Sequence, residues 1–144
     1  MDEAKRELLC AWLTKAANDL KNAGIVSEAA DGPLDTAIYH CQQAAEKVVK
    51  AFLLYHDREP EKTHDIRKLT VQAMAFAPEF KEHLAAASAL TPFAWEFRYP
   101  NDFAETYPTD EEFNEALKQA RAIYDFVLSL LPAETHPAQE KSKP

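Results

Sequence analysis

Between Ala37 and Leu69 apolar and polar residues alternate at helical spacing. Ile38, Cys41, Ala45, Val48, Phe52 and Tyr55 recur every three or four positions and wind into one stripe. A neighbouring register, Tyr39, Gln42, Glu46, Val49 and Leu53, begins polar and turns apolar. A third, His40, Gln43, Lys47 and Lys50, stays polar until Leu54. A helix that only filled a core would not need Gln42, Gln43 and Glu46 beside its apolar stripe. One face is therefore expected in a bundle, and another against a partner or ligand. The same spacing predicts a first helix over Asp2 to Ala23, with Leu8, Leu9, Trp12, Leu13, Ala16, Ala17 and Leu20 inward. Gly24 is expected to stop it. Pro33 suits the start of the second helix, which should end near His56.

Beyond a charged loop, Asp57 to Lys62, Thr63 is expected to cap a third helix running from His64 to about Phe76, with Asp65 in its first turn. Pro78 interrupts, Glu79 to Leu90 reads as a shorter helix, and Pro92 breaks or restarts it. Phe93, Trp95, Phe97, Tyr99 and Phe103 crowd the next stretch, predicting a short helical turn and then an ordered loop. Thr109 and Glu112 form a capping box for the last helix, whose inner face is Phe113, Leu117, Ala120, Ile123, Tyr124, Val127 and Leu131. Long helices with short connections predict an all-α fold, an antiparallel up-and-down bundle of four to five helices over residues 1–131. Residues 132–144, with three prolines and no hydrophobic anchor, are expected to be a disordered tail.

The chain's 144 residues suit one domain with a core of its own. Only two glycines are present, too few for many hairpins or a phosphate-cradling loop, which argues against P-loop and Rossmann chemistry. A net charge of -8 disfavours broad binding to nucleic acid while leaving a local basic groove open. Cys10 and Cys41 fall on apolar stripes and read as core residues rather than a bridge. No secretory segment or membrane-length apolar run is visible, so the expected location is cytoplasmic, with no membrane partner. His40, His56, His64 and His83 lack metal-ligand spacing, and no nucleophilic triad is recognisable; no metal or cofactor is expected.

Three groups carry candidate chemistry. Arg98, between aromatics, can clamp a phosphate or carboxylate through two parallel hydrogen bonds. Its bland alternative is stacking on Trp95 or Tyr99 with pairing to Asp102 or Glu46. His64 and Asp65 can serve proton transfer or contact phosphate; alternatively Thr63 and Asp65 merely cap a helix, with His64 half-buried. His40, Gln43, Lys47 and Lys50 can hold a nucleotide phosphate, or form a solvated stripe or a dimer seam.

The runs QQAAEK (Gln42 to Lys47), KTHD (Lys62 to Asp65) and RYP (Arg98 to Pro100), in that order, resemble the HEPN domain over Ala4 to Leu131. The resemblance implies a helical bundle that forms a homodimer. It also implies pairing with a minimal nucleotidyltransferase, nucleotide binding and, in some members, a role as the toxin of a toxin–antitoxin pair. HEPN-like ribonucleases follow the arginine, a few residues on, by a histidine, and the two cleave RNA without metal. Here Phe103, Ala104 and Glu105 stand where that histidine would fall. No catalytic residue is therefore assigned, and a noncatalytic nucleotide-binding and interaction module is expected. Gln43, Glu46, Lys47, Lys50, His64, Asp65, Arg98 and Asn101 would surround a groove near the two-fold axis. The alternatives are a metal-independent ribonuclease using Arg98 with His64, and a structural dimer without ligand.

Overall fold

The computed structural model describes residues 1–100 and 107–138. Among them are five α-helices and no strand: α1 (Glu3–Glu28), α2 (Leu34–Tyr55), α3 (Ile66–Ala73), α4 (Leu84–Leu90) and α5 (Asp110–Leu130). Short 3-10 turns occupy Pro78–His83, Thr91–Ala94 and Ala133–Thr135. The all-α bundle expected from the spacing is what the chain forms.

α2 is the central element, packed against α1 most extensively and then against α5 and α3. Its apolar stripe is buried throughout, from Ile38 through Cys41, Ala45 and Val48 to Phe52. Phe52 touches Phe80 with ring centroids 4.7 Å apart, and Phe80 meets Phe126 of α5 at 4.8 Å. The polar residues beside that stripe are also buried. Gln42, Gln43, Glu46 and Lys50 are all sealed within the fold, so the expectation that this face meets a partner or ligand is corrected over much of its length. These polar groups are tolerated because they bond to one another, as detailed below.

Several boundaries differ from expectation. α1 runs past Gly24 to Glu28. Gly24 marks close approach to α5, since a methyl group there would sit 3.4 Å from Arg121 Nη2. The break comes at Gly32, where a Cβ would fall within 1.9 Å of the Val26 carbonyl oxygen. α3 starts two residues later than Thr63 suggests. Asp65 is the N-cap, accepting from the Lys68 amide at 3.0 Å, and Thr63 Oγ1 accepts from the Asp65 amide at 3.1 Å. This register buries Ile66 and frees the His64 carbonyl to accept from Gln42 Nε2. The stretch from Glu79 to Leu90 is a 3-10 turn followed by α4 rather than one helix. Cys41 is fully buried, while Cys10 is half-buried with its thiol 3.8 Å from the His136 carbonyl oxygen. Desolvation pushes the Cys41 thiol up to about 12, which removes it as a nucleophile near neutral pH.

The expected tail is corrected as far as residue 138. Thr135 is buried, and the His136 ring nitrogen donates to the carbonyls of Leu128 (2.9 Å) and Leu131 (3.2 Å). A histidine that satisfies the open carbonyls at a helix C-terminus anchors a segment whose apolar side chains are only alanine and proline. No helix among the described residues is long and apolar enough to cross a membrane.

Candidate functional site

On α2 the positions Thr36, Tyr39, Gln43, Lys47, Lys50 and Leu54 fall within roughly 80° of arc, at 3.6 residues per turn. This row borders separate hollows at Tyr39, Lys47 and Leu54, together termed the α2 groove, with Gln43 and Lys50 buried between them. α1 makes one wall. The residues before α3 and the stretch after the Thr91–Ala94 turn make the other.

The α1 wall is joined to the floor by Asp19. Its nearly buried carboxylate accepts from Lys47 Nζ at 2.6 Å and lies 2.8 Å from His40 Nδ1. Lys47, its side chain a quarter exposed, is thus ion-paired rather than a free cation. The opposite side is joined through Glu46. One carboxylate oxygen lies 2.8 Å from His64 Nδ1 and accepts from Gln42 Nε2 at 3.1 Å. The other accepts from Lys50 Nζ at 3.0 Å. Gln43 Nε2 donates to Gln42 Oε1 at 2.7 Å, which extends the chain of bonds towards the groove. The Lys50–Glu46 pair is nine-tenths buried on both sides, so its charges compensate each other in a low-dielectric setting. His64 alone of this cluster presents much of its ring to solvent, with a side chain 63% exposed.

Arg98 lies at the N-terminal end of the groove. Its guanidinium stacks over the Tyr39 ring at 4.2 Å from the centroid and sits 5.3 Å from that of Tyr99. Asp35, Thr36, Tyr39, His40, Phe97 and Arg98 line a cleft of about 390 Å³ there. Among the described residues no carboxylate is paired with Arg98. A planar guanidinium placed over a ring can present its edge N–H groups to a bidentate anion.

Of the residues expected in the site, Arg98 and His64 lie against the same side of α2. Their anchor points, Tyr39 and Glu46, are two helical turns apart. Gln43 lies between them. Glu46, Lys50 and Lys47 are committed to internal ion pairs. Asp65 is spent on capping α3, the bland reading of KTHD. Asn101 lies outside the described residues. The expected pairing of Arg98 with Glu46 is not made, and Asp102, the other carboxylate expected for it, lies outside the described residues; of the two expected rings Tyr99 lies 5.3 Å from the guanidinium, while the nearer ring is Tyr39. Tyr39, Phe97, Asp35, Thr36 and Asp19 were not anticipated here. Asp19 had a usable signal: an acid on the buried row of α1, between Ala16 and Ala23, must have a partner. For Tyr39 and Phe97 no signal existed, because their role depends on a contact between distant segments.

A family model described as HEPN domain matches residues 10–130. The chain belongs to the HEPN family. Two solved structures share the fold. One is TT1696 from Thermus thermophilus, 29% identical with a TM-score of 0.71, covering 85% of this chain and 98% of that one. The other is ST0689, an archaeal HEPN homologue, 25% identical with a TM-score of 0.67, covering 85% of this chain and 96% of that one. No curated protein matches the chain. The matched span of this HEPN protein includes both Arg98 and His64. The histidine that ribonucleases of the family carry after the arginine is absent from the sequence between Arg98 and Glu105. His136 does not replace it, since that ring is bonded to carbonyls at the C-terminal end of α5.

Proposed function

We propose that this HEPN protein is a noncatalytic nucleotide-binding and interaction module. It acts as a homodimer and as the partner of a minimal nucleotidyltransferase in a toxin–antitoxin-like pair. The observation that supports nucleotide binding is the guanidinium of Arg98 placed 4.2 Å over the Tyr39 ring in the lining of the 390 Å³ cleft. A phosphate meets the guanidinium edge through two charge-assisted hydrogen bonds, and Phe97 offers an apolar surface to the remainder of the ligand. Lys47 and Lys50 act indirectly. The Lys47–Asp19 pair ties α2 to α1, and the Lys50–Glu46 pair within α2 fixes the carboxylate that His64 meets.

Isothermal titration with nucleoside mono-, di- and triphosphates tests this. Binding that is lost in Arg98→Ala, with an unchanged circular-dichroism spectrum, is the expected result. An absence of heat up to millimolar ligand, roughly -4 kcal/mol of affinity, defeats the binding part and leaves a structural dimer. Co-expression with the product of a neighbouring nucleotidyltransferase gene, followed by co-purification, tests the pairing.

One observation favours a ribonuclease instead. Glu46 orients the His64 ring through Nδ1 at 2.8 Å, which leaves Nε2 towards solvent, an arrangement suited to proton transfer. RNA cleavage that disappears in both Arg98→Ala and His64→Ala would replace the first reading. Intact RNA after prolonged incubation with the wild-type chain discards this one.

A further inference from the structure

The cleft at Arg98 holds a charge of the opposite sign. Asp35, in the first turn of α2, lines the same 390 Å³ space, and among the described residues no ion pair joins the two. Asp35 stands one helical turn before Tyr39 on the same face, about 6 Å along the axis from the ring that carries the guanidinium. Other polar groups at this end of α2 are already committed. Thr36 Oγ1 donates to the Pro33 carbonyl at 3.0 Å, and His40 Nδ1 is held 2.8 Å from Asp19. Two amides that a helix N-terminus could turn towards an anion are bonded as well. That of Leu34 donates to Tyr107 Oη at 2.8 Å, and that of Thr36 to Asp35 Oδ1 at 2.8 Å. The latter bond holds the carboxylate by one oxygen. Among the described residues nothing donates to the other, Oδ2.

A cation and a carboxylate that share a cleft without meeting suit a ligand with an anion at one end and neutral hydrogen-bond donors at the other. A phosphate is attracted to Arg98 and repelled by Asp35, which fixes the direction in which the ligand lies. In a ribonucleoside phosphate the donors that follow the phosphate are the ribose hydroxyls, and a carboxylate accepts from them well. A 2′-deoxyribose lacks one of these donors and leaves the carboxylate oxygen less well satisfied on binding. We infer that Asp35 accepts a hydrogen bond from the ribose 2′-hydroxyl and makes the cleft selective for ribonucleoside over 2′-deoxyribonucleoside phosphates. The inference rests on the nucleotide binding proposed above; it names the class of nucleotide and the residue that selects it.

Isothermal titration of the full chain tests it, using the ribonucleoside 5′-mono- and triphosphates and the 2′-deoxy form of each. The wild type should bind the ribo form at least about tenfold more tightly than its deoxy partner. In Asp35→Ala, with folding confirmed by circular dichroism, the two forms should bind equally, because the deoxy ligand has no bond to lose. Should that variant unfold, Asp35→Asn, which keeps an acceptor for the Thr36 amide, should show a smaller preference than the wild type. Absence of heat with every ligand in the wild type overturns nucleotide binding and this inference together. Equal affinities in the wild type overturn the selectivity alone. A preference that persists undiminished in the Asp35 variants overturns the role of Asp35 and leaves nucleotide binding standing.

Discussion

Asp19 shows what a single residue does in this fold. It interrupts the apolar row of α1, and it is accommodated because Lys47 and His40 reach it from α2, 28 and 21 residues on. Lys47, which in the sequence resembles a phosphate ligand, is thereby a structural cation. Apolar positions were easier to read, although Leu8, expected inward, is 47% exposed. Phe52 was expected inside and is 1% exposed, packed on Phe80. Phe52→Ala should cost about 3–5 kcal/mol, measured by urea unfolding. Two histidines give a pH dependence. Burial first, and then the Lys5 ammonium, hold the His56 imidazole below the ordinary histidine range; burial does the same to His83. Their neutral forms are favoured in the fold, so the unfolded chain takes up protons first as pH falls through about 6.5. The associated stability is complete above that pH and is lost as pH falls through the lower folded values. Thermal melts should be lower at pH 5.5 than at pH 7. The difference should shrink when His56 and His83 are both changed to leucine, and an unchanged difference would refute the assignment.

At the scale of elements, helix starts were readable where one residue both caps and precedes an apolar row. Thr109 and Glu112 form the expected box, with bonds of 3.0 and 3.1 Å. Thr109→Ala should lower stability by about 1 kcal/mol in a chemical denaturation series, with the fold retained. Where two residues competed for the cap, the choice between Thr63 and Asp65 was made by tertiary contacts, since only the later start buries Ile66. Helix ends were harder. Gly24 has the composition of a stop, yet it is used for close packing against α5. Histidine capping of α5 by the segment beyond Pro132 has no periodicity to betray it, because hydrogen bonds rather than apolar side chains hold it down.

For the whole molecule, the proposed function centres on the α2 groove. Its walls are tied to its floor by two buried carboxylates, Asp19 and Glu46, and its N-terminal end presents Arg98 on Tyr39. If the cleft takes a nucleotide, ligand at a hundredfold excess over its dissociation constant should stabilise the protein by about 2.7 kcal/mol. The melting temperature of the wild type should then rise with ligand. That of Arg98→Ala should match the wild type without ligand and fail to respond when it is added. A ligand-induced shift that survives in Arg98→Ala would move the binding site elsewhere.

The sequence by itself determined the helical class, the central helix, the cap of α5 and the kinship with HEPN proteins. Each of these rests on local spacing or a short run of residues. Only the tertiary structure decided which polar residues of α2 are available. The same glutamine, glutamate and lysine spacing suits a ligand face or a buried network. The outcome depended on Asp19 and His64, which reach α2 from other elements. It also decided that Arg98 lies over Tyr39, a contact between segments far apart in the chain that no helical periodicity encodes.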